Sequence, residues 1–375
     1  MPPAAQAERS VEPSTPLRTD ALVIGAGPVG LFLVFELGLL GISAQVVDAS
    51  PVVGGQPVEL YGHKPIYDIP AVPVCTGQEL VDRLRQQIEP FHTPFHLDQT
   101  VCALTPQPGG GFLVESSAGV QWLAKTVFIA AGVGAFQPKR LKVDGLDAFE
   151  GSQLLYRVPQ PQALAGQRVV VVGGDDTALD WALRLSEPGD HAAASVVLVH
   201  RRDAFQADAA TEAAVRTRCR QGGMHFQVGQ ITGHHQSGRL TDVDITTPDG
   251  STQTLPLDIL LVCGGLSPQL GPISRWGLAM ERKQLLVDTA QFSTAVPGIF
   301  AVGDINTYPG KRKLIVCGFH EATLAAYGAA ALLSPQQPVV LQYTSSSSHL
   351  HRLLGVAATA PSPAPNASTA SGASG

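Results

Sequence analysis

Apolar and polar positions along the chain fall into short runs that end in glycine. The first run, Ala21-Leu-Val-Ile24, is continuous, breaks at Gly25 and resumes at Val29. A continuous run of this kind predicts a strand buried on both faces, and the break and second run predict a tight turn and an apolar helix. Ala44 to Val47 predicts a second strand ending at Asp48. From Thr76 the period changes: apolar residues at 80, 81, 84 and 88 follow Thr76 and Glu79, spaced as a capping box, so an amphipathic helix is expected. Phe95–Val101, Gly111–Glu115 and Gln121–Gly132 read as strands divided by glycine turns. After a Pro- and Gly-punctuated connection the opening pattern recurs, with Arg168–Val172 as strand, Gly173-Gly174 as turn and Ala178–Trp181 as the start of a helix. Ser195–His200 is the next strand, and a helix with Arg216, Arg218 and Arg220 follows, its basic face expected to be solvated. A strand ending at Cys263, a strand over 297–302 and an apolar helix over about 317–333 complete the folded part. Alternation of strand and helix, restarted midway, predicts an α/β chain with two Rossmann-like units.

The turns carry the chemistry. Gly25 permits the first turn, Gly27 lets a backbone approach a pyrophosphate and Gly30 lets the helix pack closely on the strand, while the free N–H groups of the helix start face the anion. Asp48 stands about twenty positions on, where an acid accepts hydrogen bonds from a ribose. A lone glycine triplet also marks ordinary strand-to-helix turns, and the order strand, turn, helix, strand, acid is what makes this one a dinucleotide motif. The adjacent Gly54 and Gly55 again allow close backbone approach, with Gln56 and Tyr61 as the side chains able to address a ligand. In the second motif the strand ends in Arg201-Arg202 instead of an acid, which suits a 2′-phosphate. Asp175 there occupies a position where a second glycine would admit the pyrophosphate, so that site is expected to be weakened or rearranged. Gly303-Asp304 closes the strand before the apolar helix and is placed to bind a polyol chain. Pro309-Gly-Lys311-Arg312-Lys313 is a basic turn beside it.

Composition narrows the classes. At 375 residues and 44% hydrophobic the chain can bury more than one core, and its charge of −6 gives no overall basic field for nucleic acid or an anionic membrane. The five cysteines contain no C-x-x-C pair, and residues 1–19 hold no apolar run, so a reducing cytoplasmic setting without a signal or anchor is expected. There is no G-x-S-x-G elbow, His320-Glu321 lacks the partner histidine of a zincin, and Pro94 between His92 and His96 argues against a metal pair. No metal site is expected.

Together the first G-x-G-x-x-G with Asp48, the Gly54-Gly55-Gln56 turn, Ala130-Ala131-Gly132, the second motif with His200-Arg201-Arg202, and Gly303-Asp304 resemble the two-dinucleotide-binding-domain flavoprotein reductases. Within them the chain is similar to the thioredoxin-reductase-like ferredoxin–NADP⁺ reductases. Gln56-x-x-Glu59-Leu60-Tyr61, Lys64–Pro70, Ala131–Phe136, Ile305-x-x-Tyr308-Pro-Gly-Lys311 and Tyr343-Thr-Ser carry that resemblance over about residues 19–356. Thioredoxin reductases proper need a redox C-x-x-C in the second nucleotide domain, and this chain has none, which excludes a dithiol relay.

The resemblance implies an NADP-binding domain (138–287) inserted in a discontinuous FAD-binding domain (19–137 and 288–356), with a disordered leader (1–18) and tail (357–375). It implies that Asp48 and Val101 hold the adenosine part of FAD, that Gln56, Tyr61 and Phe136 surround the flavin half, and that Asp304 binds the ribityl chain. Tyr61 and Tyr343 would stack on the two flavin faces with Thr344 and Ser345 near the ring, the C-terminal segment coming from the partner subunit of a homodimer. Gly173, Arg201 and Arg202 would hold NADP. Two positions depart from the family pattern: Asp175 replaces a glycine, and Gln206 stands where its H-R-R-x-x-F-R string has an arginine. The expected activity is FAD-mediated electron transfer between NADPH and ferredoxin or flavodoxin, with Lys311, Arg312 and Lys313 steering the acidic partner. An NAD(P)H-dependent flavin or quinone reductase, or a non-enzymatic FAD-binding protein with a degraded NADP site, are the alternatives.

Overall fold

The computed structural model describes residues 15–62, 64–156, 161–336, 339 and 343–356. The expected tail and residues 1–14 of the expected leader lie outside them. The first strand, β1 (Leu17–Ile24), starts two residues earlier than Thr19. In chain order there follow α1 (Pro28–Leu39), β2 (Ala44–Val47), α2 (Gly55–Tyr61), α3 (Gly77–Ile88), β3 (Phe95–His96), β4 (Val101–Pro106), β5 (Phe112–Ser116) and β6 (Gln121–Ile129). Next come β7 (Leu154–Leu155), β8 (Arg168–Gly173), α4 (Asp176–Ser186), β9 (Ser195–His200), α5 (Ala209–Arg220), β10 (His225–Val228) and β11 (Ile259–Cys263). The chain then runs through β12 (Ile299–Ala301), α6 (Ile315–Leu333) and α7 (Ser348–Leu353).

These elements make two compact units, residues 1–135 with 269–375, and residues 136–268. In the first, the sheet order is β3-β2-β1-β6-β5-β4, with β12 also pairing β6. Strands β2, β1, β6 and β12 run parallel, whereas β4 and β5 are antiparallel additions. The long β6 shares one edge between two partners: β5 takes residues 121–124 and β12 takes 127–129. Alternate residues of β1 feed opposite cores. Ala21 and Val23 pack with α1, α3 and α6, and Leu22 and Ile24 with β4, β5 and β6. A central parallel strand covered on both faces is continuously apolar for this reason. Helix α3 opens on the expected capping box, Thr76 accepting from the Glu79 N–H and Glu79 from the Thr76 N–H.

Three local expectations change. The stretch after Gly55 forms α2 and not an open turn. The single strand expected over 95–101 splits into β3 and β4, because Asp98 turns the backbone at a φ of 55°. Residues 269–287, assigned by the sequence to the inserted domain, lie with the first unit, where Ile273 and Leu285 join the β4–β6 core. Helix α6 is long and apolar enough to cross a membrane, yet Gly318, Ala322, Ala325, Ala326 and Ala329 are buried, the alanines within the α1 core.

The second unit has a five-stranded sheet, all parallel, in the order β7-β11-β8-β9-β10. A three-stranded antiparallel sheet, residues 230–256, adds Ile231, Leu240, Val243 and Ile245 to one face of it. The arginines of α5 are not simply solvated: Arg216 pairs with Asp203 and Glu212 and lies over the Phe205 and Phe226 rings, and Arg218 donates to Ser186.

Asp258, just before β11, accepts from the Arg168 N–H and Nε at 3.0 Å each and from Arg168 Nη2 at 2.9 Å, with Arg239 as a further donor. Arg168 above all holds this carboxyl well below the usual carboxylate range. A depressed folded-state pKa contributes stability that is present above the unfolded value, about 3.9, and is lost as pH falls through the folded value. Asp258→Asn is therefore expected to lower the urea midpoint at neutral pH and to flatten the acid side of the stability profile below about pH 4. Urea titrations across that range check this; parallel acid limbs for variant and parent would contradict it.

Candidate functional site

The C-terminal ends of the parallel strands β1, β2, β6 and β12 lie along one edge of the first sheet. They carry Gly25, Asp48, Ala130-Ala131-Gly132 and Gly303-Asp304 in turn. In open parallel sheets this is the edge that binds ligands.

Gly25 has a φ of +116°, and a Cβ there would lie 2.4 Å from the Ala130 carbonyl oxygen. A Cβ on Gly30 would meet the Gly25 oxygen at 2.0 Å, so neither position admits a side chain. Gly27 differs: its Cβ would meet only Gly55 Cα, at 3.8 Å. The second glycine pair is folded against the first turn, with Gly54 donating its N–H to Ala26 O at 3.0 Å and Gly55 at a φ of +57°. Two bare backbones thus flank the N-terminus of α1, whose N-cap, Gly27, offers no side-chain oxygen to its amides.

Asp48 is held from both oxygens. Oδ2 accepts from the Ala26 N–H at 2.6 Å and Oδ1 from the Ser50 N–H at 2.7 Å. Burial pushes its carboxyl up, the two amides act against that, and Glu59 adds to the rise. Each oxygen keeps a lone pair for a further donor. Gln56 is half-buried on α2, and Val101 is buried at the start of β4. The side chains of Tyr61, on α2, and Phe136 lie outside the described residues.

Asp304 sits on a turn fixed from beneath by Glu321 of α6. Glu321 is 0% exposed, and its two oxygens take four donors. Oε2 accepts from the Gly303 N–H at 2.7 Å and from Asn306 Nδ2 at 2.8 Å; Oε1 accepts from Tyr308 Oη at 2.9 Å and from Lys311 Nζ at 2.5 Å. Lys311 also donates to the Gly303 oxygen at 2.8 Å. Gly303, at a φ of +79°, packs against Val29 of α1, which brings the Asp304 turn to the start of that helix. Burial pushes the Asp304 carboxyl up, opposed by Lys311 and Lys313, while Glu321 adds to the rise. This network corrects one expectation: the Lys311 side chain is only 7% exposed and is spent on Glu321, so it is no steering charge. The sequence signal missed was Glu321, a single acid inside an apolar helix ten residues after a lysine.

In the second unit Gly173 is as confined as Gly25. A Cβ on it would lie 2.4 Å from Cys263 O and 2.5 Å from Ala178 Cβ. Arg201 and Arg202 are exposed just past β9, and the ring of His200, the last residue of that strand, fills the Cβ position of Gly174. Burial lowers the His200 pKa, with Arg201 and Arg202 adding to the effect. Thr344 and Ser345 form an exposed turn ahead of α7, and Tyr343 before them is 70% exposed. Among the described residues no cluster of three His, Cys, Asp or Glu side chains is arranged to hold a metal.

Residues 19–325 match the family model described as pyridine nucleotide-disulphide oxidoreductase. The chain belongs to that family. A relative from Polaromonas naphthalenivorans named ferredoxin–NADP reductase is 58% identical over 342 residues, covering 91% of this chain and 93% of its own. Another from Cupriavidus taiwanensis, named ferredoxin–NADP reductase 2, is 57% identical over 94% of this chain and 96% of its own. Among solved structures the oxidoreductase resembles T. acidophilum thioredoxin reductase, at 21% identity and a TM-score of 0.58 over 84% of this chain and 99% of that one. That likeness is one of fold.

Removing one partner of a buried pair costs about 3–5 kcal/mol, more than replacing both. Glu321→Gln is expected to destabilise the first unit by about 3 kcal/mol, and Lys311→Met in the same chain to restore part of it. Urea unfolding of the two variants measures the difference; additive losses would mean that the pair is not coupled.

Proposed function

We propose that this oxidoreductase is a ferredoxin–NADP⁺ reductase, with FAD held by the first unit and NADP(H) by the second. The observation that carries the reading is the pairing of two strand-turn-helix sites with opposite ends, one closed by the half-buried carboxylate of Asp48 and the other by Arg201-Arg202. The identity to relatives of that name over nine-tenths of the chain supports it.

The first unit fits FAD. The space in front of Gly27 is one that a side chain would fill, at the positive end of α1, which suits a pyrophosphate. Asp48, desolvated and with acceptor capacity left on each oxygen, suits a ribose diol. In this reading Asp304 takes the ribityl hydroxyls, with Glu321 holding the turn, and Gln56 and Val101 line the rest. When bound, FAD supplies the change from two-electron to one-electron transfer. The chain's own residues bind and orient; none is required as acid, base or nucleophile. Arg201 and Arg202 select the 2′-phosphate of NADP(H).

The reading includes a homodimer in the cytoplasm, with Tyr343, Thr344 and Ser345 placed over the partner's flavin. The exposure of Tyr343, an aromatic left uncovered by its own chain, supports that placement. Arg312 and Lys313, both exposed, remain as charges to steer an acidic ferredoxin or flavodoxin.

Anaerobic titration tests the function. NADPH is expected to bleach the flavin absorbance rapidly and NADH slowly, and turnover with ferredoxin to exceed turnover with a quinone. No bleaching by either nucleotide with FAD bound would overturn the assignment, and faster quinone turnover would favour a flavin or quinone reductase. Arg201→Ala with Arg202→Ala is expected to raise the NADPH Kd by about 10–100-fold while leaving the NADH Kd within about twofold.

A further inference from the structure

The two departures from the family pattern, Asp175 and Gln206, are far apart in sequence and adjacent in space. The Gln206 N–H donates to Gly174 O at 2.7 Å, and residues 175 and 206 form an isolated bridge. Asp175 is the N-cap of α4. Its backbone is extended, at φ −104° and ψ 175°, so the position does not require glycine. Its Oδ1 accepts from the Ala178 N–H at 3.0 Å and so takes one of the free amides of the helix start.

Its other oxygen, Oδ2, lies 4.0 Å from where a Cβ on Gly265 would stand, and Lys139 Nζ lies 3.8 Å from that same point. Gly264-Gly265 follow β11, the parallel neighbour of β8. The carboxylate therefore reaches toward the crevice beyond the ends of β8 and β11, where dinucleotide pyrophosphates sit in such sheets. It stands at the positive end of α4 and on the side of an ammonium, the two attractions that a bound pyrophosphate would use. Asp176, the first residue of α4, adds a second carboxylate and accepts from the Asp208 N–H at 2.8 Å. Gln206 beside them adds no positive charge.

We infer that Asp175 is an internal anion at the pyrophosphate position of the second nucleotide site. With the uncharged Gln206 beside it, it lowers affinity for the dinucleotide without lowering affinity for the 2′-phosphate end. This rests on the reading of the second unit as the NADP(H) domain.

The test is anaerobic calorimetric binding to the FAD-loaded full chain, its flavin reduced beforehand so that the nucleotide binds without reacting, with two probes: NADPH, which contains the pyrophosphate, and 2′-AMP, which carries only the ribose phosphate. Asp175→Gly and Asp175→Asn both keep an acceptable N-cap. Each is expected to tighten NADPH by about tenfold and to leave 2′-AMP within about twofold. Gln206→Arg is expected to tighten NADPH further when added to Asp175→Gly, with the gain shrinking as salt rises. Unchanged or weaker NADPH binding in both Asp175 variants, with 2′-AMP still bound, overturns the inference and leaves the domain assignment standing. Equal gains for both probes also overturn it, since the effect would then be a general field. If neither probe binds any form, the domain assignment falls with it.

Discussion

Close approach of bare backbone at the C-terminal edge of the first sheet is the constraint on which the site depends. Gly25 turns directly over the Ala130 carbonyl, Gly30 sits on the Gly25 oxygen, and Gly55 faces Gly27. Any Cβ at 25 or 30 would fall well inside van der Waals distance, so strand, turn and helix can be this close only because side chains are missing. The same closeness puts the amides of the α1 start, the Asp48 carboxylate and the Gly303-Asp304 turn along one edge. Each of these groups comes from a different strand end, and the parallel sheet brings them together.

Beneath that edge lies a second requirement, electrostatic in kind. The Gly303-Asp304 turn is anchored by a carboxylate that water does not reach. Glu321 is tolerable there because all four of its acceptor sites are used, one by a full ammonium. Three of its four donors lie within residues 306–311 and the fourth is the Gly303 amide, so the turn and its anchor form one closed network. Asp304 is the charged side chain of that turn left over for a ligand.

Much of the fold was legible. Continuous apolar runs marked the buried parallel strands, the Thr76 and Glu79 spacing marked the start of α3, and the recurrence at Arg168–Gly173 marked the second unit. What could not be read was tertiary. A basic triplet in sequence divides into one buried and two exposed cations because Glu321 lies within reach of Lys311 alone. The return of residues 269–287 to the first unit depends on Ile273 and Leu285 finding its core, which local pattern does not encode. The break after β3 depends on a positive φ at Asp98, a residue type that tolerates it but does not demand it. In the site itself, Asp48 could be placed from spacing, whereas the partners of Asp304 required the structure.

The two nucleotide motifs began from the same pattern and are under different constraints. At the first turn a second glycine pair packs over Gly27, and a side chain at 27 would enter the space between two backbones. At the corresponding position of the second turn the backbone is extended in the same way, the edge of Gln206 lies alongside, and a capping side chain is accommodated. Neither position demands glycine through its backbone angles; the two differ in what meets the helix amides, no side-chain oxygen at Gly27 and a carboxylate at Asp175. A helix start is satisfied equally by a ligand anion or by its own cap. The first motif leaves that role to a ligand; in the second, the chain supplies the anion itself.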